Sequence, residues 1–328
     1  MTKTGNIFTD GSVAFQEYVW LDNNDQLQSK MRIAQRKFKE EAQTNQVQAL
    51  SPLPPDNWTI SPGDSDLRDI ILKPVCWTSN PSIENGEFVL CETLAADKDD
   101  DGKLILESCW SDERALLVET FGKLAGSIKP WFSFEQHYYS PDHGVISQTL
   151  AEEHAKVCSQ MLSSVDDWVF RTTKRDPITA CDHLLICRHI LNNIAGAEDA
   201  SIETTRGPYV LGCSVNFSTA EMRGEVEDED PWEWVLDTTQ KLLEAHRELV
   251  DPQLGWYGFV AEKCLKNAQR ACKWDADPQY GIGDRNNAIR IPLETALNMK
   301  GHIEDCRPCA DMNPYTVCRK ILEVTCLT

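Results

Sequence analysis

Trp131-Phe132-Ser133-Phe134-Glu135-Gln136-His137-Tyr138 reads as a short strand with Glu135 and His137 two residues apart. Two later segments share its importance. Gly212-Cys213-Ser214-Val215-Asn216-Phe217-Ser218-Thr219 overlaps a strand read over residues 209–217. Asp284-Arg285-Asn286-Asn287-Ala288-Ile289-Arg290-Ile291-Pro292 contains a strand over 287–291. Ile303-Glu304-Asp305-Cys306-Arg307-Pro308 and Met312-Asn313-Pro314-Tyr315 follow it. Helical spacing surrounds these strands at residues 112–128, 150–162, 181–194, about 231–249 and 316–324. Acidic Glu152 and Glu153 fall near the start of the second helix, and Asp182 near the start of the amphipathic third. The acidic run 225–230 precedes the fourth, where it complements the helix dipole.

Toward the N-terminus the texture is that of strands. Phe15-Gln16-Glu17-Tyr18-Val19-Trp20, the cluster Leu21-Asp22-Asn23-Asn24-Asp25 and residues 27–31 read as a β-hairpin. Residues 33–48 are polar, Gln/Lys-rich and read as a surface segment, and the Pro- and Asp-dense 51–66 reads as loop. Residues 70–75 and 87–93 read as two more short strands. Asp97-Lys98-Asp99-Asp100-Asp101-Gly102 has the acidity of a calcium loop but neither its ligand spacing nor its terminal Glu, leaving a solvated turn. There are no internal repeats. The pattern is α+β, with a β-rich N-terminal domain over residues 1–100 and a larger mixed domain over 101–328.

The chain has 328 residues, 32 Lys+Arg against 52 Asp+Glu and a net charge of -20. Such a surface repels nucleic-acid phosphates and anionic lipid, and no basic patch offsets it, so neither nucleic acid nor membrane is an expected partner. No apolar run reaches the roughly 20 residues that cross a bilayer, and residues 1–11 lack signal- and transit-peptide patterns. A cytoplasmic protein is the expectation. The 13 cysteines are odd in number and irregularly spaced, and Cys91 and Cys187 lie in apolar contexts, which reads as reduced thiols rather than a disulfide framework. Cys306-Arg307-Pro308-Cys309 could open a zinc site, but a structural site takes about four ligands and no second pair follows at suitable spacing.

In order and spacing, the segments quoted above resemble the eukaryotic-type glutamine synthetases, which show WFGxEQEY, GCHxNFST, ANRxASIRIP and EDRRPxxxxDPY in the same succession. Glu17-Tyr18-Val19-Trp20-Leu21-Asp22 resembles that family's YIWIDG, and Val89-Leu90-Cys91-Glu92 its VLCE. The similarity spans nearly the whole chain. It implies an N-terminal β-grasp domain and a C-terminal catalytic domain whose curved antiparallel sheet, with helices, forms a funnel. It implies rings of subunits with active sites shared between neighbours, and a reaction in which ATP phosphorylates glutamate and ammonia displaces the phosphate. Two or three Mg²⁺ or Mn²⁺ ions held by carboxylates would serve it.

The resemblance weakens at the residues that carry this chemistry. One family metal takes the first Glu of EQEY, the His of GCHxN and the Glu of EDRRP; those positions are Glu135, Ser214 and Glu304. The second takes the later Glu of EQEY, here His137, and two further Glu that fall on Leu162 and Val169. Asp166 and Asp167 lie between those two positions. The loop supplying an acid for ammonium is shortened at residues 57–66, and only 140–150 spans the family's Gly-Pro-rich nucleotide stretch. The flap Glu aligns near Ala271, and the first Arg of EDRRP is Cys306. Arg285 and Arg290 remain, and in the family they clamp phosphate and substrate. With Glu135 and Glu304 they are either inherited buried salt bridges or the remnant of an anion or nucleotide site. His137 is either a ligand for a softer metal such as Zn²⁺ or a hydrogen-bonded cleft residue.

The expected function is that of a glutamine synthetase-like pseudoenzyme, a structural, scaffolding or regulatory subunit in a homo-oligomer, a mixed oligomer with a related synthetase, or a larger assembly. The alternatives are an ATP-dependent ligase with an altered metal site, using ATP and Mg²⁺ if any site survives, and a sensor that binds ATP or glutamate without reacting.

Overall fold

Asp22 explains the first hairpin. Its carboxylate accepts from the backbone N–H groups of Asn24 (2.8 Å) and Gln26 (3.0 Å), and Asp25 takes φ 56°, closing a tight turn. That turn joins β1 (Val13–Leu21) to β2 (Leu27–Gln35). A computed structural model describes residues 13–35, 38–40, 50–52, 55–60, 69–80, 82–124, 126–140, 148–166, 168–197, 202–203, 205–206, 209–251, 253–258 and 277–327. Short β3 (Phe38–Glu40) and β4 (Leu50–Pro52) pair as a ribbon. A further strand, β5 (Trp58–Ile60), lies within the segment read as loop.

The first unit, residues 1–112, is completed by β6 (Ile70–Asn80), β7 (Gly86–Lys98) and β8 (Leu104–Ser108). Its sheet runs β2-β1-β7-β6-β5, with β8 also on β7; β1 and β7 are parallel and the other pairs antiparallel. The strand read over 70–75 continues to Asn80 because the register shifts between Pro74 and Cys76, where proline can offer no N–H to the ladder. Tyr18, Trp20, Ile70, Leu72, Val89 and Ala95 form its core, with Trp58 packed against them. Of the turn read over Asp97–Gly102, Asp97 and Lys98 end β7; the link to β8 starts at Asp99, whose carboxylate is taken by the N–H groups of Asp101 and Lys103. Because β8 pairs back onto β7, the first unit extends past residue 100 to Asp112.

The second unit, residues 113–328, holds a seven-stranded sheet in the order β10-β11-β9-β14-β17-β16-β15. In chain order its elements are α1 (Glu113–Gly122), β9 (Trp131–His137), α2 (Gln148–Val157), β10 (Leu162–Asp166), β11 (Val169–Thr172), α3 (Pro177–Ala197), β12 (Thr205–Arg206) and β13 (Tyr209–Val210). There follow β14 (Cys213–Ser218), α4 (Pro231–Glu244), α5 (His246–Leu249), β15 (Tyr280–Ile282), β16 (Ile289–Ile291), α6 (Leu293–Asn298), β17 (Ile303–Asp305) and α7 (Pro314–Cys326). The α+β class read from the sequence is the class observed.

Several boundaries differ from the sequence reading for local reasons. The helix read over 150–162 starts at Gln148, so Glu152 and Glu153 sit in its second turn; the chain then turns and enters β10. The strand read over 209–217 is two strands, β13 pairing β12 and β14 joining the large sheet. Asp230 caps α4 as its acidity implies, its carboxylate accepting from the N–H of Trp232 at 2.9 Å with Pro231 next in line.

Strand alternation divides the large sheet into two faces. Phe132, Phe134, Phe170, Val215, Phe217, Ile289, Ile291 and Ile303 are buried on one of them, with α3 against β9 and β11 and α4 against β16. Asp182 lies inside α3, buried, and its carboxylate joins Arg114 of α1 to the Tyr315 hydroxyl of α7.

Candidate active-site face

The opposite face of the large sheet is polar. Glu135 on β9 stands directly across from Arg171 on β11 and from Ser214 on β14. Two residues further, Asn216 of β14 faces Glu304 of β17, which in turn faces Arg290 of β16. Cross-strand partners share a face, so these side chains project to one side. The fold thus brings together Glu135, His137, Ser214, Glu304 and Arg290, all singled out from the sequence.

What the sequence reading missed is Arg171. Its Nε donates to Glu135 Oε2 at 2.8 Å, and its Nη1 donates to Asp166 Oδ2 at 2.6 Å and to Ser164 Oγ at 3.3 Å. A guanidinium therefore lies between the two carboxylates of this end of the sheet. The signal available was its position two residues beyond Val169, on the face of Glu135. Glu135 is also approached at 3.6 Å by His137 Nε2 and at 3.6 Å by Arg285 Nη1. His137 first and Arg171 next favour the carboxylate, outweighing the burial that opposes them, and hold Glu135 down at about 2.

Glu304 is likewise occupied. Arg290 Nη1 donates to Glu304 Oε2 at 2.5 Å, and both side chains are largely shielded. Beside them, burial and the Lys174 and Arg290 cations lower His302 to about 4, so it stays neutral near pH 7. Arg285 is different: its side chain is 63% exposed, and 3.6 Å from Glu135 is its approach to the face.

The positions read as lost metal ligands are placed as follows. Val169 pairs with His137 and is buried. Leu162 pairs with Thr172, which puts it on the side of the apolar core rather than beside Glu135. Asp166, opposite Val169, is the carboxylate that shares the polar face, and Arg171 takes it. Cys306 is half-buried and follows β17. Its neighbour Arg307, inside the same motif, is fully buried and bound to Asp305 on the core side. Ala271, most of the shortened loop at 57–66 and most of the stretch 140–150 lie outside the described residues.

These donors do not suit a pair of Mg²⁺ ions. Mg²⁺ wants near-octahedral oxygen ligands, whereas Glu135 and Glu304 already carry guanidinium partners and the remaining candidates are an imidazole and a neutral hydroxyl. A cation entering beside Glu135 would have to displace Arg171 or lie against its like charge.

One consequence is measurable. Glu135 is depressed in the fold relative to its ordinary value of 4.5, so the unfolded chain takes up its proton first as pH falls. The stability it contributes is fully present above about pH 4.5 and is lost as pH drops toward about 2. Chemical denaturation across this window should show a shallower acid limb for Arg171→Gln than for the unaltered chain. Parallel limbs would contradict the assigned pairing.

No family model matches the chain. A glutamine synthetase of Streptomyces viridochromogenes is 26% identical over 359 aligned residues, covering 94% of this chain and 96% of that protein. The chloroplastic glutamine synthetase of Chlamydomonas reinhardtii is 25% identical, covering 94% and 89%. The first alignment is longer than the chain's 328 residues, so the relative carries residues that this chain lacks. A solved structure, apo GmaS without ligand, superposes with a TM-score of 0.59 at 15% identity, over 99% of this chain and 80% of its own. The fold is therefore that of a glutamine synthetase-type ligase. The similarity to glutamine synthetases over nearly the whole chain supports a divergent member of that family.

Proposed function

We propose that this protein has left glutamate–ammonia ligation and serves as a structural, scaffolding or regulatory subunit. The observation carrying the proposal is the Arg171 guanidinium between Glu135 and Asp166, with Arg290 on Glu304 as its counterpart across the sheet. A ligase of this family uses divalent cations to neutralise a transferring phosphoryl group. A fixed guanidinium can neutralise a carboxylate, but it leaves no open coordination position for phosphate oxygens. Family membership favours a ring-type oligomer of this chain, or a mixed assembly with a related synthetase, as the setting. Co-purification from its native source separates the two.

The direct test is phosphate release and labelled glutamine formation from ATP, Mg²⁺, glutamate and ammonia. No turnover above the protein-free control is expected. Turnover within an order of magnitude of a typical enzyme, about 10 s⁻¹, would overturn the proposal. A second reading, an ATP-dependent ligase with an altered metal site, draws on the exposed Arg285 and on relatives named glutamine synthetase. It requires ATP to raise the unfolding temperature of the full-length protein.

A further inference from the structure

Away from the polar face, α2 and α3 bring three metal-binding side chains together. His154 lies in the last turn of α2, Cys158 follows one turn later, and Cys187 lies in the middle of α3. All three are completely buried. A ring nitrogen of His154 and the two Sγ atoms lie within 4.8 Å of one another.

The histidine is oriented for a ligand. Its Nε2 is 3.0 Å from the backbone carbonyl oxygen of Cys187. A carbonyl only accepts, so Nε2 carries the proton and Nδ1 presents its lone pair. That Nδ1 is sealed from solvent and has no hydrogen-bond partner. Buried acceptors are rarely left empty. Phe170 packs edge-on against the ring, with centroids 5.0 Å apart, and helps hold it in place. A histidine that gives one N–H to a carbonyl, keeps its other nitrogen free of a hydrogen bond and clusters with two thiols has the arrangement that tunes metal ligands.

We propose that His154 Nδ1, Cys158 Sγ and Cys187 Sγ form a site for one Zn²⁺ ion that clips α2 to α3. Sulfur and imidazole donors select soft or borderline metals over Mg²⁺, Ca²⁺ and Mn²⁺. Between the two closed-shell candidates, charge decides. Two thiolates and Zn²⁺ sum to zero, whereas Cu⁺ would leave a net negative charge in an apolar interior. Loading displaces the two S–H protons to solvent, and no oxidant or reductant is needed. Among the described residues no further His, Cys, Asp or Glu joins the cluster. The fourth tetrahedral position is thus left to a water or other small ligand, as in three-ligand zinc sites generally.

The full-length protein, reconstituted with Zn²⁺ under reducing conditions and passed through a desalting column, should retain about one equivalent per chain by elemental analysis. Cys158→Ser should lose it, while Cys309→Ser, outside the cluster, should keep it. If Cys158→Ser does not fold, the unaltered protein decides: X-ray absorption at the zinc edge should show sulfur and nitrogen neighbours, and Co²⁺ substitution a thiolate charge-transfer band. Failure to retain zinc, a shell of oxygen neighbours only, or undiminished zinc in folded Cys158→Ser would each overturn the site. So would a Cys158–Cys187 disulfide in protein isolated with its thiols trapped.

Discussion

Asp305→Ala is expected to destabilise the second unit by about 3–5 kcal/mol, the range for breaking a buried ion pair from one side. Arg307 is entirely buried, and Asp305 takes its Nε at 2.8 Å and its Nη2 at 2.7 Å. The remaining donor Nη1 reaches the Leu242 carbonyl at 3.0 Å, and the Tyr257 hydroxyl donates to Asp305 Oδ2 at 2.8 Å. Burial and the Asp305 charge push Tyr257 well above its ordinary range, so it stays protonated and donating. Removing Asp305 strands a guanidinium in the core and empties the Tyr257 bond. Against a typical total of about 5–15 kcal/mol, that loss approaches the limit of folding. Denaturant midpoints measure it. A cost under about 1 kcal/mol would mean that Arg307 finds water or another acceptor. Replacing both partners by apolar residues of similar volume should cost less than Asp305→Ala alone, because no charge is stranded.

The second large effect is expected at Asp182. Its carboxylate accepts from Arg114 Nε at 3.0 Å and Nη2 at 2.9 Å, and from the Tyr315 hydroxyl at 2.6 Å. One side chain on α3 therefore holds α1 and α7. Asp182→Ala should cost about 3 kcal/mol, at the lower end of the range for a broken buried pair because Arg114 keeps 15% exposure and can be partly rehydrated. Tyr315→Phe removes one hydrogen bond to a charged group and should cost about 1.5–3 kcal/mol. If Asp182→Ala cost no more than Tyr315→Phe, the ion pair would carry none of the stability assigned to it.

The frame of this molecule was readable because its signals are periodic and local. The Asn/Asp hairpin, the alternation across Trp131–His137 and the acidic cap of α4 each act over a few residues. Strand β5 escaped because Pro and Asp on either side mask the three-residue Trp58–Ile60 run. The site was half legible. Motif order found Glu135, Ser214, Glu304, Arg285 and Arg290, but Arg171 was invisible to a search for missing carboxylates. A substitution that supplies charge is seen only when register sets it opposite Glu135. Arg307 shows the converse: its motif membership points to chemistry, while its burial and its bond to Asp305 assign it to the core. The His154–Cys158–Cys187 cluster joins two helices across an interval of sequence that no spacing rule covers.

On the proposed reading, protein guanidiniums have taken the place of catalytic divalent cations on the polar face. Electron paramagnetic resonance of Mn²⁺ titrated into the full-length protein tests this most directly, since thiolate donors discriminate against Mn²⁺ and the proposed zinc site should not interfere. The free-ion signal should follow added Mn²⁺ at stoichiometric concentrations, with only the weak, salt-sensitive loss that a chain of net charge -20 produces. Saturable uptake of Mn²⁺ that persists in salt and disappears in Glu135→Gln or Glu304→Gln would contradict the account.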